Sequence, residues 1–345
     1  MDILEKTIAY SPPLVYSKIE GIKSVDGTEA EGWIITIGGT PKQMMSRGPG
    51  FTYKRLIAAS KLAKKLGAQI MGLGAFTKVI GDAGITVSKH SPIPITTGNS
   101  YSSSAALWAA ADAMKRLGLV TIPKGKEKLK AKSLIVGATG AIGSVSSRLL
   151  AMVFNEIILC GRNEQKLAVL KRSINQENPE TRIITTVDAD SHLPDADMVV
   201  TATSGAGKKI LDITKVKPGC VITDVARPLD LKPEDVAKRP DVLYIESGEI
   251  EVPVDGQLIM RDINLPKNVV FACMAETIVL ALEGRFEEFT IGRNIEWKKV
   301  KEIYKLGLKH GMKLAAISGV NGVYTKQDID KIRELDLRER KKINK

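Results

Sequence analysis

Cysteine, histidine and aromatic residues are scarce in this sequence, and each scarcity removes a class of chemistry. Three cysteines lie far apart with no CxxC pair, so neither a disulfide framework nor a zinc ligand set is expected. The three histidines stand apart, and HExxH, GxSxG and the P-loop pattern are all missing. No metal site is expected, and the common hydrolase and nucleotide-triphosphate signatures do not apply. Aromatics make up 5% of the chain, and none is interleaved with the two basic runs, 124–132 and 338–345. A surface for single-stranded nucleic acid needs that interleaving, so nucleic acid is not an expected partner. No window approaches 18 uninterrupted apolar residues, which leaves no expected membrane span. The opening MDILEKTIAYSPP carries acids early and lacks an apolar signal core, and the expected compartment is the reducing cytoplasm.

What is present centres on Ser133–Arg162. Leu134–Val136 reads as a buried strand, followed by a glycine turn, a helix with Val145, Leu149 and Val153 at helical spacing, and a second strand at Ile157–Leu159. The turn carries Gly137, Gly140 and Gly143 in a G-x-x-G-x-x-G variant of the dinucleotide fingerprint. The first glycine permits a tight turn, the second lets backbone approach a pyrophosphate, and the third lets helix pack on strand. The helix start then offers unpaired N–H groups to the phosphates. The expected cofactor contacts here are Gly137, Thr139, Gly140, Ala141, Ile142 and Gly143. The second strand ends in Cys160-Gly161-Arg162-Asn163, with no carboxylate to hold a ribose 2′-hydroxyl. Arg162 suits a 2′-phosphate instead, so NADPH is the expected cofactor, with Asn163 beside it.

The flanking patterns set the organisation. Leu14–Ser24 and Trp33–Ile37 read as strands around an Asp26-Gly27 turn, and Tyr53–Leu66 reads as an amphipathic helix. Strands at Gln69–Leu73 and Ile93–Thr96 precede a small-residue helix from about Tyr101 to Leu117. Beyond the fingerprint come a helix at Gln165–Ile174 and strands at Arg182–Val187, Asp197–Ala202, Cys220–Val225 and Val242–Ile245. Helices are expected at Asn268–Glu283, Trp297–Lys309 and Gln327–Arg340. Alternating strands and helices predict an α/β fold. The expectation is a doubly wound parallel Rossmann sheet plus a smaller N-terminal α/β domain completed by C-terminal helices. The expected division is 1–123, a substrate domain; 124–132, a basic linker; 133–266, the NADP(H) domain; and 267–345, helices carrying Cys273. Ligands sit beyond the carboxyl ends of such strands, which puts Thr203, Ser204 and the segment 224–227 on the nicotinamide side.

Cys273 lies in the first turns of the expected 268–283 helix, and a helix start favours a thiolate. A free cysteine on an apolar helix is also among the commonest buried residues, and local sequence alone favours that reading. Glu276 shares its face at i+3 and suits an acid, a base, an orienting group or an ion pair. His310, near a helix end, reads as a C-terminal cap.

Several blocks together resemble one family. They are Gly72-Leu73-Gly74-Ala75-Phe76-Thr77, Thr96-Thr97-Gly98-Asn99, Val136 to Gly143, Arg162-Asn163, Phe271-Ala272-Cys273-Met274-Ala275-Glu276, Glu283-Gly284 and Gly292-Arg293-Asn294. In order and spacing they resemble the aldehyde-forming fatty acyl-ACP reductases, over about Pro12 to Ala315. A looser likeness is to shikimate-dehydrogenase-like two-domain proteins. The resemblance implies that Cys273 takes an acyl group as a thioester, that NADPH delivers hydride to it, and that a hemithioacetal collapses to the aldehyde. It implies a catalytic part for Glu276 and substrate positioning by Phe76, Thr97 and Asn99. The implied substrate is a fatty acyl thioester on acyl carrier protein or CoA. The net charge of +12 suits docking of an acidic carrier. Arg285 stands where the family has an aromatic, and 225–255 diverges from it. Two other readings remain: a hydroxy- or amino-acid dehydrogenase with direct hydride transfer, and a non-catalytic NADP(H)-binding regulator.

Overall fold

The computed structural model describes residues 10–74, 77, 81–121, 127–203, 209–226 and 229–343. The chain divides into two compact units and passes between them three times: residues 1–102 with 249–315 form the first, and 103–248 with 316–345 the second.

The first unit opens with an antiparallel hairpin of β1 (Leu14–Lys23) and β2 (Glu29–Thr36). Gly27 turns it at φ +90°, a conformation open to glycine without steric penalty. The short α1 (Pro41–Ser46) starts in a capping box between Thr40 and Gln43. In α2 (Pro49–Lys65), Thr52, Leu56, Ala59, Ser60 and Ala63 are buried along one stripe, while Lys61, Lys64 and Lys65 stay exposed. β3 (Met71–Gly72) pairs in parallel with β4 (Ile95–Thr96), and α3 (Ile85–His90) lies between them in the chain. Leu56, Leu73, Val87 and Ile95 join these elements in a small core. The long α4 (Asn99–Leu117) carries the chain into the second unit.

There the chain runs β5 (Leu129–Val136), α5 (Ala141–Ala151), β6 (Phe154–Cys160), α6 (Glu164–Glu177), β7 (Arg182–Thr186), β8 (Met198–Thr201), β9 (Val221–Asp224), α7 (Pro233–Val236) and β10 (Leu243–Glu246), with short 3-10 turns in place of helices around β8. The six strands form one parallel sheet in the order β10-β9-β8-β5-β6-β7. Its central strands are apolar and almost entirely buried, as expected of a parallel sheet covered on both faces. The strand order reverses between β5 and β8, which makes the switch point where open α/β sheets take ligands. Val136 pairs with Thr201 and Thr201 with Asp224, so β5, β8 and β9 end level at their carboxyl edge.

The chain then returns to the first unit as β11 (Glu249–Glu251), β12 (Val254–Ile259), β13 (Val269–Phe271), α8 (Ala272–Leu282), α9 (Trp297–His310) and β14 (Lys313–Leu314). β12 joins the hairpin in the order β12-β1-β2, and β13-β11-β14 make a second antiparallel sheet. β15 (Ser318–Gly319), β16 (Gly322–Val323) and α10 (Lys326–Ile343) end the chain in the second unit.

The α/β class and the parallel sheet match the sequence expectation, and four local expectations need correction. The helix expected from Asn268 starts at Ala272, because Asn268 sits at φ +61° and Val269–Phe271 pairs with β11. The linker at 124–132 is not all linker, since β5 begins at Leu129 and pairs with Phe154 of β6. The units also divide differently from the expected 1–123, 133–266 and 267–345. Strand β12 pairs with β1, which brings 249–315 into the first unit. From Ser103 on, α4 belongs with the sheet, where its Ala106 carbonyl accepts from Thr223 Oγ1 at 3.4 Å and the Leu117 carbonyl is held by Arg333 of α10. His310 is not a cap. Gly311 closes α9 at φ +90°, while the buried imidazole lies 2.9 Å from Ser24 Oγ and 2.7 Å from Glu283 Oε2.

Candidate active site

In the first unit the chemistry gathers around the start of α8. Cys273 is the second residue of that helix, in a first turn with no acidic residue and no side-chain cap. It is half-buried. The turn before α4 lies directly on it: a Cβ added at Gly98 would fall 2.3 Å from Cys273 Cα and 2.4 Å from its Cβ. Gly98 holds φ +71°, so both its missing side chain and its conformation make this approach feasible.

Glu276, one turn further, is fully buried. Its carboxylate accepts from Thr96 Oγ1 and, at 2.9 Å, from the backbone N–H of Tyr101 in the first turn of α4. Thr96 Oγ1 accepts in turn from Thr290 N–H at 3.1 Å, and Thr290 Oγ1 donates to Ser100 Oγ at 2.7 Å. Glu276 therefore fastens α8 to β4 and to the start of α4, satisfying a helix-end donor that the helix itself leaves open. Thr97 Oγ1 and Thr277 Oγ1 are buried with no hydrogen-bond partner among the described residues. Asn99, the first residue of α4, is buried. Phe76 lies outside the described residues.

A cavity of about 610 Å³ opens beside Cys273 within this unit, lined by Trp33, Ile35, Leu56, Ile70 and Thr277 among others. Its size falls in the range of small-molecule pockets, roughly 300–1,000 Å³. Sequence reasoning assigned no part to Thr277 or Gly98, though Thr277 follows Cys273 at i+4, the spacing that puts two side chains on one helix face. No group of three or more metal-type ligands occurs among the described residues.

In the second unit the glycine turn has the expected form. Gly137 sits at φ +84°, and a Cβ on it would meet the Ala202 carbonyl oxygen at 2.7 Å. A Cβ at Gly143 would lie 2.1 Å from the Gly137 carbonyl oxygen, so the third glycine lets α5 rest on the turn. Gly140 caps α5 with no side chain, and Ala141 and Ile142 are the first two helical residues. The glycines thus pack the turn tightly on its own backbone, and the start of α5, with no side-chain cap, leaves its first N–H groups open to an acceptor such as a phosphate. Thr139 lies against Gly161, and Arg162 is exposed at the end of β6. The Asn163 side chain is engaged elsewhere, its Oδ1 accepting from Lys166 N–H at 2.9 Å to cap α6. Thr203 follows β8 beside Gly137, with its Cγ2 3.1 Å from where a Cβ of that glycine would stand. Ser204 lies outside the described residues.

Of the other cysteines, Cys160 is pushed up to about 11 by burial and then by Asp188 and Asp190. Cys220 is pushed up by burial as well. Both fill the core around the sheet.

Residues 123–252 match the family model described as shikimate / quinate 5-dehydrogenase. All six strands of the parallel sheet and the glycine turn lie within the matched residues, which make up less than half of the chain. Three curated proteins set the neighbourhood more closely. An aminotransferase, PigE, of a Serratia species is 32% identical over 291 residues; these cover 84% of this chain and 33% of that protein, so the chain spans one third of its length. A long-chain acyl-[acyl-carrier-protein] reductase of Synechococcus elongatus is 25% identical over 321 residues, 89% of each chain. A shikimate dehydrogenase (NADP(+)) of Maricaulis maris is 33% identical over 106 residues, 30% of this chain and 37% of that protein. No helix among the described residues is long and apolar enough to cross a membrane.

Proposed function

We propose that this chain reduces a fatty acyl thioester, carried on acyl carrier protein or CoA, to the aldehyde with NADPH. The observation that carries the reading is the apolar cavity on which Cys273 opens. A fatty chain drawn into it leaves water, at about 25 cal/mol per Å² of apolar surface. The likeness over 89% of both chains to an acyl-[acyl-carrier-protein] reductase supports the same substrate class.

In this reading the sulfur of Cys273 attacks the acyl carbonyl. A new carbon–sulfur bond forms as the bond to the carrier sulfur breaks, and the carrier thiol leaves with the proton. NADPH, when bound, supplies the hydride that takes the acyl carbon to the aldehyde level. Gly137, Thr139, Gly140, Ala141, Ile142 and Gly143 would hold its pyrophosphate, Arg162 would pair with its 2′-phosphate, and Thr203, to which the sequence adds Ser204, would serve the nicotinamide end. Thr97 and Asn99, on the turn over Cys273, orient the acyl group, and the sequence gives Phe76 the same part. Glu276 is a positioning residue here, because its carboxylate is engaged with Thr96 and Tyr101. The excess of positive charge draws in an acidic carrier.

The test is intact mass after mixing the protein with a panel of acyl-CoAs and acyl carrier proteins, without NADPH. The expected result is a gain of one acyl group, lost in Cys273→Ser and discharged as aldehyde when NADPH is added. NADPH binding without an adduct from any thioester would overturn it. A second reading, direct hydride transfer to a small hydroxy or oxo acid, draws on the match over 123–252. It predicts that Cys273→Ser keeps its activity on such acids.

A further inference from the structure

Asp224 ends β9 at the level edge of the sheet and is fully buried. Its Oδ2 accepts from Asp230 N–H at 2.8 Å, from Leu231 N–H at 3.1 Å and from the Tyr244 hydroxyl at 3.1 Å. Its Oδ1 accepts from Ala226 N–H at 3.1 Å. One carboxylate thus holds Ala226, Asp230 and Leu231 at the end of β9 and ties them to Tyr244 of β10. The held backbone of Asp230 positions a second carboxylate. Asp230 accepts from Thr203 N–H at 2.9 Å through Oδ2 and from Thr203 Oγ1 through Oδ1. Thr203 is thereby held at both its backbone and its hydroxyl, beside Gly137 of the glycine turn.

We propose that Asp224 and Asp230 form a two-carboxylate relay that fixes Thr203 at the switch point and so sets how the nicotinamide end of the cofactor is held. Three facts argue for it. The relay runs from β9 to the end of β8, the strand beside the fingerprint strand. Two neighbouring carboxylates, Asp224 fully buried and Asp230 half-buried, oppose each other electrostatically: Asp224 is pushed up to about 6 by burial and then by Asp230. An arrangement that raises the free energy of the charged state is kept here at the edge where ligands bind, a pattern typical of functional sites. Third, Thr203 offers its hydroxyl hydrogen to Asp230, so its oxygen lone pairs keep a fixed direction. Asp224 and Asp230 are positioning residues, acting through Thr203.

The proposal rests on the dinucleotide reading of the sheet and is independent of Cys273. The test is NADPH titration of the full-length protein and of Asp230→Ala, Thr203→Val, the double variant and Thr203→Ser. NADH is run in parallel, and far-ultraviolet circular dichroism with urea unfolding checks that each variant folds. Asp224→Asn is the more direct change but places an amide among four donors, so the outer residues carry the test. The expected result is a dissociation constant raised roughly tenfold by Asp230→Ala and by Thr203→Val, the scale of one hydrogen bond to a charged group. The double variant should be no worse than either single one, since both remove the same link. Thr203→Ser should restore binding to within about twofold. Wild-type affinity in Asp230→Ala, or full additivity in the double variant, would overturn the relay while leaving the dinucleotide reading standing. No binding of either nucleotide by the wild type would overturn both.

Discussion

Gly98 stands where any side chain would collide with the backbone of Cys273, and its φ of +71° is one that other residues resist. Gly98→Ala should therefore cost about 1–3 kcal/mol in stability, by strain and overpacking together. It should also slow acylation of Cys273 at least about tenfold, because the helix start must move to make room. Denaturant unfolding and time-resolved intact mass measure the two effects. A second residue-scale expectation concerns Asp224. Its folded pKa, about 6, lies above the 3.8 of a free carboxyl. Between those values the native state binds more protons than the unfolded chain, so its contribution is most favourable below about pH 4 and is lost as pH rises through 6. In Asp224→Asn the unfolding free energy should decline less between pH 4 and 7 than in the wild type, as urea titrations at a series of pH values would record.

At this scale the sequence was partly legible. The glycines of the fingerprint could be read because strand and helix patterns bracket them. Cys273 could not be chosen on local grounds, since a thiol on an apolar helix looks like packing; only the order of several distant blocks singled it out. Gly98 gave no sign of its closeness to the cysteine, because a contact between residues so far apart in the chain leaves no periodic trace.

Among the elements, the join of β13 to α8 decides where the cysteine points. The expected helix over 268–283 would have put Cys273 in a second turn; the strand Val269–Phe271 moves the helix start to Ala272 and leaves the thiol in the first turn. That strand exists because β11 is there to pair with it, and β11 is three residues long, too short to stand out in a pattern. Glu276 then joins α8 to α4. Removing its carboxylate in Glu276→Ala leaves Tyr101 N–H and Thr96 without their acceptor, at a cost of about 1–3 kcal/mol for each buried donor. Glu276→Gln keeps one acceptor oxygen and should fall between. If Glu276 only positions, aldehyde formation in the Gln variant should keep the pH profile of the wild type while its rate drops; a shifted profile would instead mark Glu276 as an acid or base in the reaction.

For the whole molecule, charge and ligand binding give the broad expectations. With a net charge of +12, turnover of an acyl carrier protein should fall as salt rises, since screening lengths shrink to about 10 Å near 0.1 M. An acyl-pantetheine substrate with no carrier should show little change, and equal salt dependence for both would remove the steering argument. NADPH at about 100 times its dissociation constant should stabilise the second unit by about 2.7 kcal/mol. Hydrogen exchange in β5 and β8 is the direct measure.

Because the chain visits the first unit, leaves it at residue 102 and re-enters at 249, that unit cannot be completed in one pass. During synthesis its hairpin, α2 and β3 emerge first and must wait for α8 and β14. At about 5–20 residues per second the wait is roughly 12–48 s. Through that interval the apolar walls of the future cavity have no lid of their own and stay open to water or to a chaperone. The parallel sheet forms in the meantime. The newborn chain is thus expected to acquire its nucleotide fold before its thiol pocket, and variants that weaken α8 should show first as poor yield on synthesis, ahead of any loss in the finished enzyme.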